Sequence, residues 1–502
     1  MNVSRTFLGL LILVLALSAC RPGQEQNAPF PQISTPSTPT QSLPEDATET
    51  LEPVIVATEA MLPTATATLL PSEPILGLHI NSLPPQEQIA LFPRPEMLWM
   101  RTNLIFWDQI EPQRTDPPTY DWSVIDEAAL ANTGESGMKI ILVVQFAPSW
   151  AQKYPPSACG PIAEDSLDRF GQFMNALVSR YSQPPYNIHH WEIGNEQDVD
   201  RNDVQPRSIY GCWGDKSDPY FGGGYYGEML KAIYPQVKAA DPESQVIVGG
   251  LLLDCDPINP PEREPGSGNF RNCVPAQFLE GILINGGGDF FDGVSFHSYD
   301  FYLGEIGKYG NGNWHSSWET TGPALTAKTR FLQDVLQRYG YEDKLLLNTE
   351  LALICGRDGS EPECQTDEYA ISKAYYLAQA ALTGMAVGLD ANTWYSLYGW
   401  RGSGLVSRQL EPSDAFRALL TTSEQLDRSV FRGEVTEYPG IQGYEYERDG
   451  IRTWMLWSKD GEDQALSLPE MPTSILDVFG TDLPAGQEIT ITIAPIYVKW
   501  NP

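Results

Sequence analysis

Two stretches hold the residues from which chemistry can be built. Asn187–Glu196, NIHHWEIGNE, reads as a short buried β-strand that ends on an Asn–Glu pair, with Pro184-Pro185 before it and the polar Gln197-Asp198 after it. Lys344–Leu351, KLLLNTEL, is a second apolar strand whose last residues turn abruptly acidic. Glu196 and Glu350 therefore stand at the ends of separate strands. A lone strand-end glutamate is most simply a salt-bridge partner. A parallel barrel, however, collects strand ends on one face, where two carboxyl groups can flank a scissile bond.

The elements that must position this pair alternate between strand and helix signals, which favours βαβ units and a parallel sheet. Strands are predicted at Ile75–Ile80, Met97–Ile105, Lys139–Phe146, Asn187–Ile193, Gln245–Leu252, Phe291–Phe296, Lys344–Asn348 and Ala391–Tyr395. Amphipathic helical stretches such as Ser166–Tyr181 and Leu325–Tyr339 lie between them. Eight strands with intervening helices fit a closed (β/α)8 barrel better than an open doubly wound sheet. No Gly-rich phosphate loop follows the first strand, which argues against a dinucleotide fold.

With Asn195-Glu196 in WEIGNE, Glu350 in LLLNTEL, His297 and Tyr299 in VSFHSYD, Trp394 in ANTWYS and the segment WDQIEPQRTDPPTYDW at 107–122, the chain resembles the clan A glycoside hydrolases over roughly residues 74–428. Each motif is short; their order and spacing across eight strands carry the signal. The resemblance implies a retaining glycosidase with Glu196 as acid/base after strand four and Glu350 as nucleophile after strand seven. It further implies Tyr299 as hydrogen-bond partner of the nucleophile, His297 in the same subsite, and Trp394 as a stacking ring at the end of strand eight. Asn195 suits a hydrogen bond to a sugar 2-hydroxyl. His297 and Tyr299 share one parity, so both can point into the barrel mouth. Arg101, on strand two, can pair with Glu350 and keep it ionised, or neutralise the inward-pointing Glu192, a structural carboxylate. Glu111, in a loop, is a weaker candidate. Aromatic residues crowd the strand ends (Trp107, Trp150, Trp213, Trp314, Trp318 and Trp400 among them), as a carbohydrate cleft or an ordinary core would require.

The chain has 502 residues, room for a barrel with additions, and a formal charge of −33, which repels phosphate backbones and disfavours nucleic-acid partners. Five histidines show no HxH pair at a strand end and no cysteine spacing suggests zinc, so neither metal nor cofactor is expected. Of seven cysteines, Cys20 belongs to the N-terminal segment. The other six fall in loops after strands three, four, five and seven. Extracytoplasmic disulfides Cys159–Cys212, Cys255–Cys273 and Cys355–Cys364 are expected to brace those loops.

Residues 1–20 have Arg5, an apolar run from Phe7 to Leu17 and the sequence LSAC, the layout of a lipoprotein signal peptide with Cys20 as the lipidated residue. Residues 21–73, rich in Pro, Thr, Ser and Ala, read as a disordered, semi-rigid tether. Past about Asp427 the pattern changes to period two, with Asp449-Gly450 as a two-residue hairpin signal, and residues 429–502 read as a small β-sandwich. The expected protein is thus a lipid-anchored, extracytoplasmic glycosidase with a carbohydrate as its substrate and no nucleic acid as partner. The alternative is a non-catalytic carbohydrate-binding lipoprotein on the same barrel. A transglycosylase would use the same carboxylates. If Cys20 is lipidated, its chains anchor the protein stably only when two or more are present. Labelled palmitate should be incorporated into the full-length chain and lost in Cys20→Ala; incorporation that survives the substitution refutes the anchor.

Overall fold

The computed structural model describes residues 74–257, 273–299, 302, 309 and 324–501. The leader, Cys20, the tether, Trp314 and Trp318 lie outside the described residues. Eight parallel strands close into a barrel in sequence order. They are β1 (Leu76–His79), β2 (Trp99–Phe106), β3 (Lys139–Gln145), β4 (His190–Ile193), β5 (Gln245–Leu251), β6 (Gly293–Tyr299), β7 (Leu345–Ala352) and β8 (Ala391–Tyr395). All eight fall where period and composition predict them. The differences lie at strand ends: β4 starts only at His190, after Asn187 in a left-handed turn at φ 53°, while β6 and β7 run on through Tyr299 and Ala352.

Inward positions form layers, because successive side chains alternate across a strand. Trp99, Ile141, Ile247, Leu347 and Ala391 make an apolar layer inside the barrel. Two residues further along β2 and β7, the inward side chains become polar: Arg101 and Thr349 meet Glu192 and Ser295. The apolar floor thus excludes water beneath a charged layer. A bulge then alters the alternation on β7. Phe296 is level with Asn348 but His297 is level with Glu350, so β7 contains one extra residue, Thr349. Thr349 and Glu350 therefore both reach inward although they are neighbours, which is the usual use of a bulge near a site.

Around the barrel, the helix Leu167–Tyr181 shows how the outer layer is filled. Its Phe173 is fully buried and stacks near Trp107, Trp122 and Phe170 at centroid distances of 5.7, 6.3 and 6.2 Å. The segment 107–122 is accordingly packing material for this helix. Glu111 is buried there, accepting from Trp107 Nε1 at 2.8 Å and paired with Arg169.

The C-terminal strands are antiparallel. They are β9 (Val430–Glu434), β10 (Ile441–Arg448), β11 (Ile451–Ser458), β12 (Gln464–Ser467), β13 (Ser474–Asp477), β14 (Asp482–Leu483), β15 (Glu488–Ile491) and β16 (Ile496–Trp500). A six-stranded sheet is ordered β14-β13-β16-β11-β10-β9, and β12 pairs with β15 in a second, two-stranded sheet. The β10–β11 hairpin turns on Asp449 (φ 52°) and Gly450 (φ 81°), both left-handed as a two-residue turn of this kind demands. One face packs on the barrel's outer helices, where Tyr497 Oη lies 2.8 Å from Thr422 Oγ1. The other closes a small core around Trp454, Leu456, Val498 and Trp500.

All three disulfides are present in loops on the C-terminal side of the barrel strands, with Cα separations of 5.2 Å (Cys159–Cys212), 5.3 Å (Cys255–Cys273) and 5.5 Å (Cys355–Cys364). Since the helix face around Phe173 is a packed aromatic layer with no room to collapse, Phe173→Ala should lower the unfolding free energy by about 3–5 kcal/mol, measured by urea denaturation.

Candidate active site

At the mouth of the barrel one guanidinium organises four neighbours. Arg101 is fully buried. Its Nε donates to Glu192 Oε2 at 2.7 Å, Nη1 to Glu350 Oε1 at 2.7 Å, and Nη2 to both Asn195 Oδ1 at 2.7 Å and Glu192 Oε1 at 3.0 Å. His79 Nδ1 stands 3.3 Å from Nη1. The two alternatives left open by the sequence are both realised: Arg101 pairs with Glu350 and with Glu192. Glu192 Oε1 also accepts from the Gly250 amide, Ser295 and Thr349, so this carboxylate is fully engaged in holding strands together.

Glu350 Oε2 accepts a 2.6 Å hydrogen bond from Tyr299 Oη. His297 Nδ1 lies 2.9 Å from Glu196 Oε1 and 3.6 Å from Glu350 Oε2. Ligand atoms of Glu196, His297 and Glu350 all fall within 4.8 Å of one another. This is the one group with metal-chelating spacing among the described residues. A cation there would have to share the Glu350 carboxylate with a guanidinium already 2.7 Å from it, an arrangement that like-charge repulsion opposes. Glu196 Oε2 has no hydrogen-bond partner among the described residues and is the carboxyl oxygen left for a ligand.

The loop that presents Glu196 is held at a backbone cost. Gly194 and Glu196 both adopt left-handed φ values, 89° and 50°, and for a glutamate that region is strained. The turn is tied down by the Glu196 amide donating to the Gly250 carbonyl at 2.8 Å. Asp198 adds a second tie, its two oxygens accepting from the Leu252 and Leu253 amides at 2.7 and 2.8 Å. Burial pushes the Asp198 carboxyl up to about 6. Asn195 is fixed at both ends, its Nδ2 donating to the Ile209 carbonyl at 3.1 Å.

Burial raises both central carboxyls, but unequally. Glu196 is pushed well above the carboxylate range, first by desolvation and then by the negative charges of Glu350 and Asp198. Glu350 is raised by desolvation too, against which the Arg101 charge and the Tyr299 hydrogen bond pull it down. Desolvation, rather than mutual repulsion, is thus the leading cause of the elevated Glu196. The proton of the pair belongs on Glu196 and the charge on Glu350. His297 is held neutral, well below its ordinary value, by burial and by the nearby Arg101. Tyr299 is raised well above its usual range, by burial and by Glu350, and stays a hydrogen-bond donor.

Trp394 requires a correction. Expected as a stacking ring in the mouth, it is only 2% exposed, donates Nε1 to the Ser403 carbonyl at 2.8 Å and packs against Tyr376 of the helix Asp367–Ala386. Its side chain faces the helix layer. The next residue, Tyr395, carries the mouth-facing ring, 4.7 Å from His79, and its hydroxyl is raised by burial and by Glu350 and Glu196. A one-residue step along a strand exchanges faces, and that step alone separates the expected ring from the observed one. Two further residues of the mouth are absent from the motifs. His79 is level with both Arg101 and Tyr395 across its two neighbouring strands, and Tyr210 is raised by burial and the same two carboxylates. Parity on β1 is a signal that points to His79; Tyr210 sits in an irregular loop, where parity says nothing.

A buried acid whose folded pKa is raised binds more protons folded than unfolded, so its contribution to stability is lost as pH rises from the unfolded value through the folded one. Glu196→Gln removes this dependence on pH. The variant should gain stability relative to the unmutated chain as pH rises from about 4 to 8, with the gap closing below about pH 4. Urea midpoints measured across that range check it; a gap that is constant with pH overturns the assignment.

No protein-family model matches the sequence, and no curated protein matches it. Solved structures do. A family 39 glycoside hydrolase from the gut symbiont Bacteroides cellulosilyticus WH2 is similar with a TM-score of 0.60 and 18% identity, over 84% of this chain and 80% of that one. A conserved exported protein from Bacteroides fragilis gives 0.59 and 10% identity over 86% and 97%. A monomeric beta-xylosidase from Caulobacter crescentus CB15 gives 0.54 and 13% identity over 86% and 97%. At these identities the likeness is one of fold: the chain shares its barrel architecture with these structures.

Proposed function

We propose that the protein is a glycoside hydrolase that cleaves O-glycosidic bonds of oligo- or polysaccharides with retention. The observation that carries this reading is the closeness of the two carboxyl groups, one oxygen of Glu196 lying within 4.8 Å of one oxygen of Glu350. Retaining enzymes place their carboxyls about 5–5.5 Å apart, whereas inverting enzymes need about 6.5–9.5 Å to admit a water molecule. Glu350 is then the nucleophile and Glu196 the acid/base. The fold shared with a glycoside hydrolase and a xylosidase supports the substrate class. The three disulfides support a location outside the cytoplasm, and lipid attachment at Cys20 would hold the enzyme to the bacterial cell membrane or cell surface.

Each step follows from the charge distribution. Glu350, ionised beside Arg101, attacks the anomeric carbon while Glu196 gives its proton to the departing oxygen. Forming the glycosyl ester removes the negative charge of Glu350. With that charge gone, the pKa of Glu196 falls and its carboxylate can take a proton from water, which displaces Glu350. Asn195, held by Arg101, is placed to contact the 2-hydroxyl, and Tyr299 follows the charge on Glu350. His297 orients Glu196.

Against a panel of aryl glycosides, Glu350→Ala should abolish turnover, and azide should restore it with inverted product. Glu196→Ala should retain activity on substrates with good leaving groups, and azide should then yield product of retained configuration. Inverted sugar released by the unmutated enzyme, seen by NMR in the first minutes, would overturn the assignment. Saccharide binding without turnover would favour the non-catalytic reading.

A further inference from the structure

The loop after β8, residues 397–406, holds one half-buried tryptophan on a frame stiffer than surface loops need. Trp400 lies edge-to-face with Tyr299, centroids 6.1 Å apart, and with Tyr395 at 6.4 Å. Tyr299 donates to Glu350, so the indole is one ring removed from that carboxylate. Three separate devices fix the turn that bears it. Ser403 Oγ accepts from the Trp400 amide at 3.0 Å and donates to the Tyr395 carbonyl at 2.7 Å. Lys373, from the helix Asp367–Ala386, reaches up with Nζ to donate to the Gly402 and Gly404 carbonyls at 3.0 and 2.6 Å.

The third device is the loop closed by Cys355–Cys364. The Cys355 amide donates to the Arg401 carbonyl at 2.8 Å, and the Arg401 guanidinium donates back to the Gly356 carbonyl. Gly359 (φ 85°) lies so close that a Cβ there would collide with the Gly402 amide nitrogen. The disulfide loop is therefore in contact with the residues that directly follow Trp400, and the nine-residue separation of its cysteines leaves it little freedom.

We propose that Trp400 is the platform on which a pyranose ring of the substrate stacks beside the Glu196–Glu350 pair, and that the Cys355–Cys364 loop is the brace that keeps it there. The inference rests on the glycosidase reading for the class of ligand, and adds the residue that selects a pyranose ring by its apolar C–H face. Indole offers a rigid apolar face with few rotatable bonds, and the C–H face of a pyranose is the matching surface. Trp400 is a specificity-determining residue in this scheme, whereas Lys373 and the disulfide are positioning elements.

The test uses the mature chain, titrated calorimetrically with xylohexaose, cellohexaose and mannohexaose, with KM and kcat taken on the aryl glycoside turned over fastest. Trp400→Ala should weaken binding of the tightest hexaose and raise KM by about tenfold, the size of one aromatic contact, with a much smaller change in kcat. Trp400→Phe, which retains a flat ring, should keep most of the affinity, and Trp400→Leu, which retains only apolar bulk, should lose it. The Phe and Leu variants decide the matter even if the alanine variant does not fold; equal affinity in those two overturns the platform. So does unchanged affinity in Trp400→Ala, or no binding of any hexaose by the unmutated chain. Cys355→Ser/Cys364→Ser should raise KM about threefold with a much smaller change in kcat; an unchanged KM removes the brace. Hexaose binding that depends on Trp400, with no turnover of any glycoside, would sink the hydrolase reading while leaving the platform standing.

Discussion

The buried guanidinium of Arg101 sets the charge balance between the carboxyl groups of the barrel mouth. Taking a guanidinium out of water is expensive, and Arg101 is fully buried. The cost is offset only because Glu192 and Glu350 lie in direct hydrogen-bond contact with it and Asn195 accepts one further donor. The consequence runs in both directions. Arg101 is tolerable because the carboxylates are there, and Glu350 carries charge in a desolvated site because Arg101 is there. Glu192 completes the arrangement: fixed to β2, β5, β6 and β7 by its five hydrogen bonds, it keeps the guanidinium from moving wholly towards Glu350. Removing Arg101 would leave two buried carboxyl groups with no positive partner in hydrogen-bond contact.

The layered interior of the barrel makes this possible. Below the charged layer, Trp99, Ile141, Ile247 and Leu347 form a dry floor, and above it the C-terminal strand ends open into loops. Charge is thereby confined to a thin slab with protein beneath and ligand above. The β7 bulge serves the same slab, since without it either Thr349 or Glu350 would face the helices, and Glu192 or Arg101 would lose a partner. Field strength and geometry are thus set by backbone register, a property that neighbouring strands enforce collectively.

Most of this was legible in the chain. Eight apolar runs at helix-separated intervals specify a parallel barrel, and the abrupt acidic endings at Glu196 and Glu350 mark the strands that matter. Arg101 was visible as a cation on strand two able to pair with Glu350 or with Glu192, and Glu192 as an inward carboxylate by its parity with Glu196. What was hidden is what register and irregular backbone decide. Trp394 and Tyr395 are both aromatic and adjacent, so only the strand's phase tells which one faces the mouth, and the sequence holds no marker of that phase. The extension of β6 and β7 past Phe296 and Asn348 depends on a bulge formed between two strands, which neither strand encodes by itself. Tyr210 and Trp400 sit in loops, where position comes from tertiary ties such as Ser403 and Lys373 and not from any period. The disulfides were predictable because cysteines placed after strands of one barrel are brought to one face whatever the loops between them do.

The left-handed backbone at Glu196 says something about the history open to this chain. At φ 50°, a residue with a long side chain is held where glycine or asparagine would sit more comfortably, so the fold alone gives position 196 no reason to be glutamate. Most positions in a barrel are constrained by packing and would keep their residue type through a loss of function. On the mechanism proposed above, this one is held by its chemistry against the preference of its backbone. In a lineage released from that chemistry, position 196 would be among the first to drift, and towards the small residues its conformation favours.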